Sequence, residues 1–142
     1  MTMSQPLTDV RILVVDDSPE IRRLIEVLID RRGGGWQVVG HASDGEEGIE
    51  LARAEQPDLV LLDISMPAMD GIEALPLVHR AAPDALVVML TGFPHEAVRD
   101  RVTAAGADGL LDKDDLFRGL VPELEAILAR PQGQRPTAAA PG

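Results

Sequence analysis

The stretch Asp58-Leu-Val-Leu-Leu-Asp63 decides the fold, because it is a short apolar run that ends in an acid. A second apolar run, residues 10–15, ends in the pair Asp16-Asp17. Short continuous runs of this kind are typical of parallel strands covered on both faces. Two such strands lying side by side would bring three carboxylates to one edge, where each pair repels by roughly 4 kcal/mol at about 4 Å and an effective dielectric of about 20. The sequence therefore predicts a bound positive charge at this edge.

Length and composition limit the class of protein. The chain has 142 residues, of which 45% are hydrophobic, and no cysteine, which predicts one domain without disulfides or thiolate metal sites. We expect a leader at 1–8, the folded domain at 9–130 and a disordered tail rich in proline, alanine and glycine at 131–142. The first residues have neither the basic patch nor the apolar core of a signal peptide, so we expect a cytoplasmic protein. A net charge of −11 disfavours direct binding to nucleic acid or membranes.

Strand-like and helix-like segments alternate along the chain. Helical periods separate the apolar runs, and the clearest begins at Ser18 as N-cap and Pro19 as first helical residue. Pro76 is expected to kink the third helix, and Pro122 leaves the start of the fifth one open. Five strands and five helices in alternation predict an α/β domain with one doubly wound parallel sheet, in which ligands bind beyond the carboxyl ends of the strands. The predicted strands are 10–15, 36–42, 58–62, 85–90 and 108–111. The predicted helices are one that starts at Pro19 and has apolar positions over 21–29, one at 44–54, one capped by Asp70, one at 95–105, and one whose apolar face covers 116–128.

Polar side chains stand where four of the predicted strands end. They are Asp16-Asp17, Asp63, Thr91 and, just past the fifth strand, Lys113. Converging carboxylates without cysteine favour a small hard cation, and Mg²⁺ is the leading candidate. Lys113 and the Thr91 hydroxyl can neutralise and bind the oxygens of a phosphoryl group. With Asp63 as nucleophile, the product is an acyl phosphate.

Each of these signals also has an ordinary interpretation. The acids can be strand-exit residues that face water, and Thr91 can be a strand cap. Lys113 can be a solvated lysine paired with Asp112, Asp114 or Asp115. The combination of all four motifs at predicted strand ends favours a functional site over these alternatives.

At this point the chain resembles the receiver domain of two-component response regulators, over about residues 10–130. The matching residues are the acid pair, the segment 63–71 that reads Asp-Ile-Ser-Met-Pro-Ala-Met-Asp-Gly, Thr91-Gly92, and residues 105–109 leading to Lys113. The resemblance implies a flavodoxin-like receiver fold with strand order 2-1-3-4-5.

The resemblance also implies a role for each site residue. Asp63 would accept a phosphoryl group from a sensor histidine kinase or a histidine phosphotransfer protein, without further enzymatic activity. Mg²⁺ would be bound by Asp16, Asp17, Asp63 and the backbone carbonyl of Ser65, and Thr91 and Lys113 would contact the phosphoryl group. A downstream protein target would bind the face formed by the fourth helix, the fifth strand and the fifth helix, at about residues 95–130.

Departures from the family pattern keep other interpretations open. Leu110 stands where receivers commonly carry an aromatic residue, and Asp114 follows Lys113 where many have proline. One alternative is the receiver part of a DNA-binding transcriptional regulator without its output domain. Another is an Mg²⁺-dependent phosphohydrolase that works through an aspartyl phosphate, although Ser65 occupies the place where such enzymes usually have a second acid.

Overall fold

A computed structural model describes residues 7–131, which form a parallel sheet with helices on both faces. The leader predicted at 1–8 and the tail predicted at 131–142 lie almost entirely outside the described residues. The strands are β1 (Arg11–Val15), β2 (Gln37–Ala42), β3 (Leu59–Asp63), β4 (Leu86–Thr91) and β5 (Gly109–Asp112). The helices are α1 (Pro19–Arg32), α2 (Gly45–Glu55), α3 (Gly71–Ala81), α4 (Glu96–Ala104) and α5 (Leu116–Leu128), the last preceded by a 3₁₀ turn at Lys113–Asp115.

The strands follow the order β2-β1-β3-β4-β5, and every neighbouring pair is parallel. The predicted doubly wound sheet is confirmed. Strand order reverses between β1 and β3, which places the switch point beside the acids that follow these two strands. β3 extends through Asp63 and β4 through Thr91, one residue further than predicted, so both polar residues are held by the strand ladder itself.

Side-chain caps fix the starts of the three helices that follow the first three strands. The Ser18 hydroxyl accepts a hydrogen bond from the Ile21 amide, and Asp44 caps α2 in the same way. Asp70 and Glu73 form a reciprocal capping box at α3. These caps supply acceptors to amides that a helix leaves unpaired at its start, so the loops before the helices are held in place.

Two helices contain an internal proline. α3 continues from Gly71 to Ala81 through Pro76, and α5 continues through Pro122. Each proline removes one backbone donor, yet both helices keep a buried apolar stripe against the sheet. The start of α5, which the sequence leaves open, lies at Leu116, directly after the 3₁₀ turn.

The sheet separates two hydrophobic cores. Alternate residues of a strand point to opposite faces, so Ile12 and Val14 join one core while Leu13 and Val15 join the other. α1 and α5 cover the first face, and α2, α3 and α4 cover the second. Because β1, β3 and β4 are buried on both sides, the polar residues at their carboxyl ends are fixed on a rigid support.

A buried tryptophan packs at the amino ends of the strands, opposite the acids. Trp36 is buried before β2 and donates its ring N–H to the Leu7 carbonyl at 2.9 Å. The Arg32 guanidinium stacks over the ring at 4.3 Å and pairs with Glu125 at 3.0 Å, which joins the ends of α1 and α5. No helix within residues 7–131 has the length and apolar character needed to cross a membrane.

Candidate functional site

Three acids meet at the switch point of the sheet. Asp16 and Asp17 follow β1, Asp63 ends β3, and the two strands are neighbours with Val15 opposite Leu62. Each acid offers a carboxylate oxygen that lies within 4.8 Å of those of the other two. Asp16 and Asp63 are both 0% exposed, whereas Asp17 is open to solvent. The acids therefore form a pocket with two buried walls and one open side.

Lys113 supplies the positive charge that this pocket requires. Its ammonium lies 3.0 Å from Asp16 Oδ2 and 3.0 Å from Asp63 Oδ1. Burial alone would lower the pKa of Lys113, but contacts with the two carboxylates and their charges outweigh it, so its pKa is raised above 10.5. Lys113 therefore stays charged and links β5 to the ends of β1 and β3.

Asp63 has an unusual environment for a carboxylate. The pKa of Asp63 is raised from 3.8 to about 6. Burial is the largest cause and repulsion from Asp16 adds to it, whereas Lys113 and the Ser65 amide act in the opposite direction. Oδ1 accepts a hydrogen bond from the Ser65 amide at 3.0 Å. Oδ2 is buried and has no hydrogen-bond partner, an arrangement that is costly unless a ligand binds there.

The oxygen donors of the pocket fit a hard divalent cation. The unpartnered Asp63 Oδ2 is available to a metal, and Asp16 Oδ2 has an ion pair with Lys113 but no aligned hydrogen bond. Mg²⁺ needs only two or three carboxylate ligands and keeps several waters, which the exposed side at Asp17 can admit. Ser65 is exposed in the loop after β3, and its amide donates to Asp63.

Thr91 lies on the same edge, one strand away from Asp63. The Ile64 amide donates to the Leu90 carbonyl at 3.0 Å, which sets the ends of β3 and β4 side by side. Thr91 is buried, and its hydroxyl oxygen accepts a hydrogen bond from the Phe93 amide at 3.1 Å. In this structure the hydroxyl is thus bonded within its own loop.

The loop between β3 and α3 turns back tightly against Asp63. Ala68 adopts a left-handed backbone conformation with φ 70°, which is strained for a residue with a side chain. The Gly71 amide donates to the Ile64 carbonyl at 2.8 Å, and a Cβ on Gly71 would collide with the Asp63 carbonyl. Glycine is therefore required at this position for steric reasons, because only its backbone can approach Asp63 so closely.

Two further residues hold Asp16 through contacts that no motif in the sequence predicted. The Ser18 amide donates to Asp16 Oδ1 at 2.8 Å. The Arg22 guanidinium donates to the Asp16 backbone carbonyl at 2.6 Å. One signal in the sequence could have indicated the Arg22 contact, because Arg22 lies one helical turn after Ser18, the capping residue that follows the acids.

Comparison with known proteins places these features in a family. The model of the response regulator receiver domain matches residues 12–123. The chain is 37% identical over 137 residues to the transcriptional regulatory protein PdtaR of Mycobacterium tuberculosis, covering 90% of this chain and 64% of that protein. It is 41% identical over 126 residues to the nitrate/nitrite response regulator protein NarL of Escherichia coli, covering 84% and 56%. The chain thus spans somewhat less than two thirds of these relatives.

Solved structures agree with the family model. A two-component response regulator of the LuxR family from Aurantimonas has a TM-score of 0.80 and 34% identity, covering 93% of this chain and 91% of that one. The response regulator protein TrrA from Thermotoga maritima, solved in complex with Mg²⁺-BeF, has a TM-score of 0.71 and 31% identity, covering 82% and 97%. The family model, the relatives and the shared fold together show that this chain belongs to the response regulator receiver domains.

Proposed function

We propose that Asp63 is the phosphoacceptor of a signalling switch. One Asp63 oxygen attacks the phosphorus of a phosphohistidine, so a P–O bond forms as the P–N bond breaks, and the departing imidazole nitrogen takes up a proton. The observation that carries this proposal is the position of Asp63 at the end of β3, with its Oδ1 3.0 Å from the Lys113 ammonium and a carboxylate oxygen within 4.8 Å of those of Asp16 and Asp17. Because the same residue is nucleophile and product site, we expect a switch that catalyses only its own phosphorylation and dephosphorylation.

The surrounding residues can bind and orient the transferring group. We propose that Asp16, Asp17, Asp63 and the Ser65 carbonyl would hold Mg²⁺, which when bound neutralises charge on the phosphoryl oxygens. The Lys113 ammonium, 3.0 Å from Asp63 Oδ1, is close enough to transfer one of its contacts to a phosphoryl oxygen. The Thr91 hydroxyl can rotate from its bond with the Phe93 amide and donate to another oxygen.

Two kinds of partner are proposed, one that donates the phosphoryl group and one that responds to the phosphorylated protein. We propose a sensor histidine kinase or a histidine phosphotransfer protein as donor, and a downstream protein that binds the face formed by α4, β5 and α5. That face contains a cavity of about 440 Å³. Leu110 lines it from β5 and packs, partly buried, against the core that also contains Val102 of α4, so apolar contacts join β5 and α4 at this surface.

A second candidate is the receiver part of a longer transcriptional regulator. Its support is that the chain covers 64% of PdtaR and 56% of NarL. In both cases we propose that the receiver unit extends over 9–130, with a leader at 1–8 and a tail at 131–142. Sequencing of the complete transcript would decide between a stand-alone receiver and a fragment.

The test is phosphorylation by a small donor. The full chain is incubated with Mg²⁺ and acetyl phosphate, and intact mass is measured before and after treatment with hydroxylamine, which cleaves acyl phosphates. We expect the mass gain of one phosphoryl group, lost on treatment and absent in Asp63→Asn. Asp84→Asn is the matched control, because Asp84 is an exposed acid at the opposite edge of the sheet. No gain in the wild type, or a gain that persists in Asp63→Asn, would refute the proposal.

A second incubation tests the phosphohydrolase alternative. A generic phosphate ester with Mg²⁺ is supplied in large excess, and released phosphate is counted against protein. A switch that accepts phosphoryl groups only from phosphohistidine and acyl phosphate donors should release no phosphate from such an ester. Multiple turnovers that disappear in Asp63→Asn would replace the switch by an enzyme.

A further inference from the structure

Arg22 contacts the backbone of the acid pocket and not its carboxylates. It lies in the first turn of α1 and is partly buried, and its Nη1 donates to the backbone carbonyl of Asp16 at 2.6 Å. A hydrogen bond from a charged guanidinium is about twice as strong as one between neutral groups. The bond therefore restrains a backbone carbonyl that lies just beyond the end of β1.

The same residue also holds the other end of the loop. The Arg22 amide donates to the Ser18 carbonyl at 3.1 Å, as the first regular bond of α1. Its side chain and its backbone thus fasten Asp16 and Ser18, and Asp17 is the single residue between them. The Asp16 carbonyl and the Asp17 amide belong to one planar peptide unit, so fixing the first restricts the backbone of the second.

Asp17 is the pocket acid that needs this support. Asp16 is fully buried, its Oδ1 accepts from the Ser18 amide, and its Oδ2 pairs with Lys113. Asp17 is exposed, and the described residues give its carboxylate no hydrogen bond or ion pair. Its place within 4.8 Å of the other two acids therefore depends on the backbone that carries it.

We infer that Arg22 is a positioning residue for the divalent cation: it clamps the Asp16–Ser18 loop so that the Asp17 carboxylate faces the metal. The inference rests on the proposed function, because it assumes that Mg²⁺ binds between these acids. Removal of a group that orients a metal ligand typically weakens metal binding by roughly 10- to 100-fold. We expect Arg22→Ala to weaken Mg²⁺ binding by about tenfold.

The sign of the effect separates positioning from simple electrostatics. A guanidinium repels a cation, so loss of its charge alone would tighten Mg²⁺ binding. Loss of the clamp would weaken it. Arg23 provides a matched control, because it is the next residue of α1, carries the same charge and is exposed.

The experiment is titration calorimetry of the full chain with MgCl₂. We expect Arg22→Ala to bind about tenfold more weakly than wild type, Arg22→Lys to recover most of the loss, and Arg23→Ala not to weaken binding. Equal or tighter binding by Arg22→Ala, or an equal loss in Arg23→Ala, would overturn the inference. If Arg22→Ala does not fold, Arg22→Met takes its place, because methionine keeps an apolar stem without an N–H donor, and wild-type affinity in that variant overturns the inference as well. A wild type that binds no Mg²⁺ would refute the proposed metal site and the inference together, whereas a wild type that binds with unchanged variants refutes the inference alone.

Discussion

Replacing Asp63 by asparagine should stabilise the metal-free protein at neutral pH. The wild-type carboxylate is buried, and its pKa is raised from 3.8 to about 6, chiefly by burial. That rise corresponds to about 3 kcal/mol of folding free energy that is lost when the folded protein must ionise this group. Asparagine keeps the Oδ1 acceptor for the Ser65 amide and removes the charge.

The pH dependence follows from the direction of this change. A folded-state pKa above the unfolded value means that the folded protein binds the proton more tightly. The contribution of Asp63 is therefore most favourable below about pH 4 and is lost as pH rises through about 6. We expect Asp63→Asn to match the wild type at the acidic end of this range and to exceed its stability by up to about 3 kcal/mol at neutral pH.

The assay is urea unfolding in the presence of a chelator, followed by far-ultraviolet circular dichroism at several pH values between these limits. Asp84→Asn serves as control, since it removes one exposed carboxylate at the opposite edge of the sheet from the pocket. Addition of Mg²⁺ should then stabilise the wild type and much less the variant. A stability difference that is constant over this pH range, or a variant less stable than wild type at neutral pH, would refute the reasoning.

Three further substitutions test the surroundings of Asp63. Lys113→Met leaves two buried carboxylates without a counter-ion, so the free energy of unfolding in urea without metal at neutral pH should fall by about 3 kcal/mol, and Mg²⁺ should restore part of it. An unchanged unfolding midpoint would contradict the ion pairs. Ala68→Gly relieves a left-handed backbone and should raise the unfolding free energy by about 1 kcal/mol, so a loss of stability would show that the alanine methyl is needed. Gly71→Ala should lower the melting temperature and weaken Mg²⁺ binding, because its Cβ would displace the Asp63 backbone, and a variant with both properties intact would exclude the close approach.

The layered architecture could be predicted from the sequence because the apolar runs are short, continuous and separated by capped helical periods. The carboxyl ends of parallel strands share one edge, so residues such as Asp63 and Thr91 could be assigned to it before any coordinates. Strand ends were less certain, because Asp63 and Thr91 are polar yet continue the ladder. The start of α5 was left open in the prediction because Pro122 lies in its early turns, and in the structure α5 starts at Leu116, directly after the 3₁₀ turn.

Other parts of the site are properties of the folded chain alone. The sequence shows that Lys113 follows the fifth strand, but not that its ammonium reaches two carboxylates at once. The Arg22 contact depends on the direction of a long side chain toward a backbone carbonyl, which carries no residue-type signal. Likewise, the unpartnered oxygen of Asp63 is visible only after every neighbouring donor has been placed.

Trp36 has a practical consequence for anyone who follows this protein by fluorescence. It is the single indole of the chain, and it lies before β2, at the amino ends of the strands, whereas Asp63 lies at their carboxyl ends. Its burial under Arg32 makes emission a sensitive reporter of global unfolding. The same location makes it a poor sensor of chemistry at the acid pocket, so a reporter of phosphorylation would need a fluorophore introduced near the Thr91 loop.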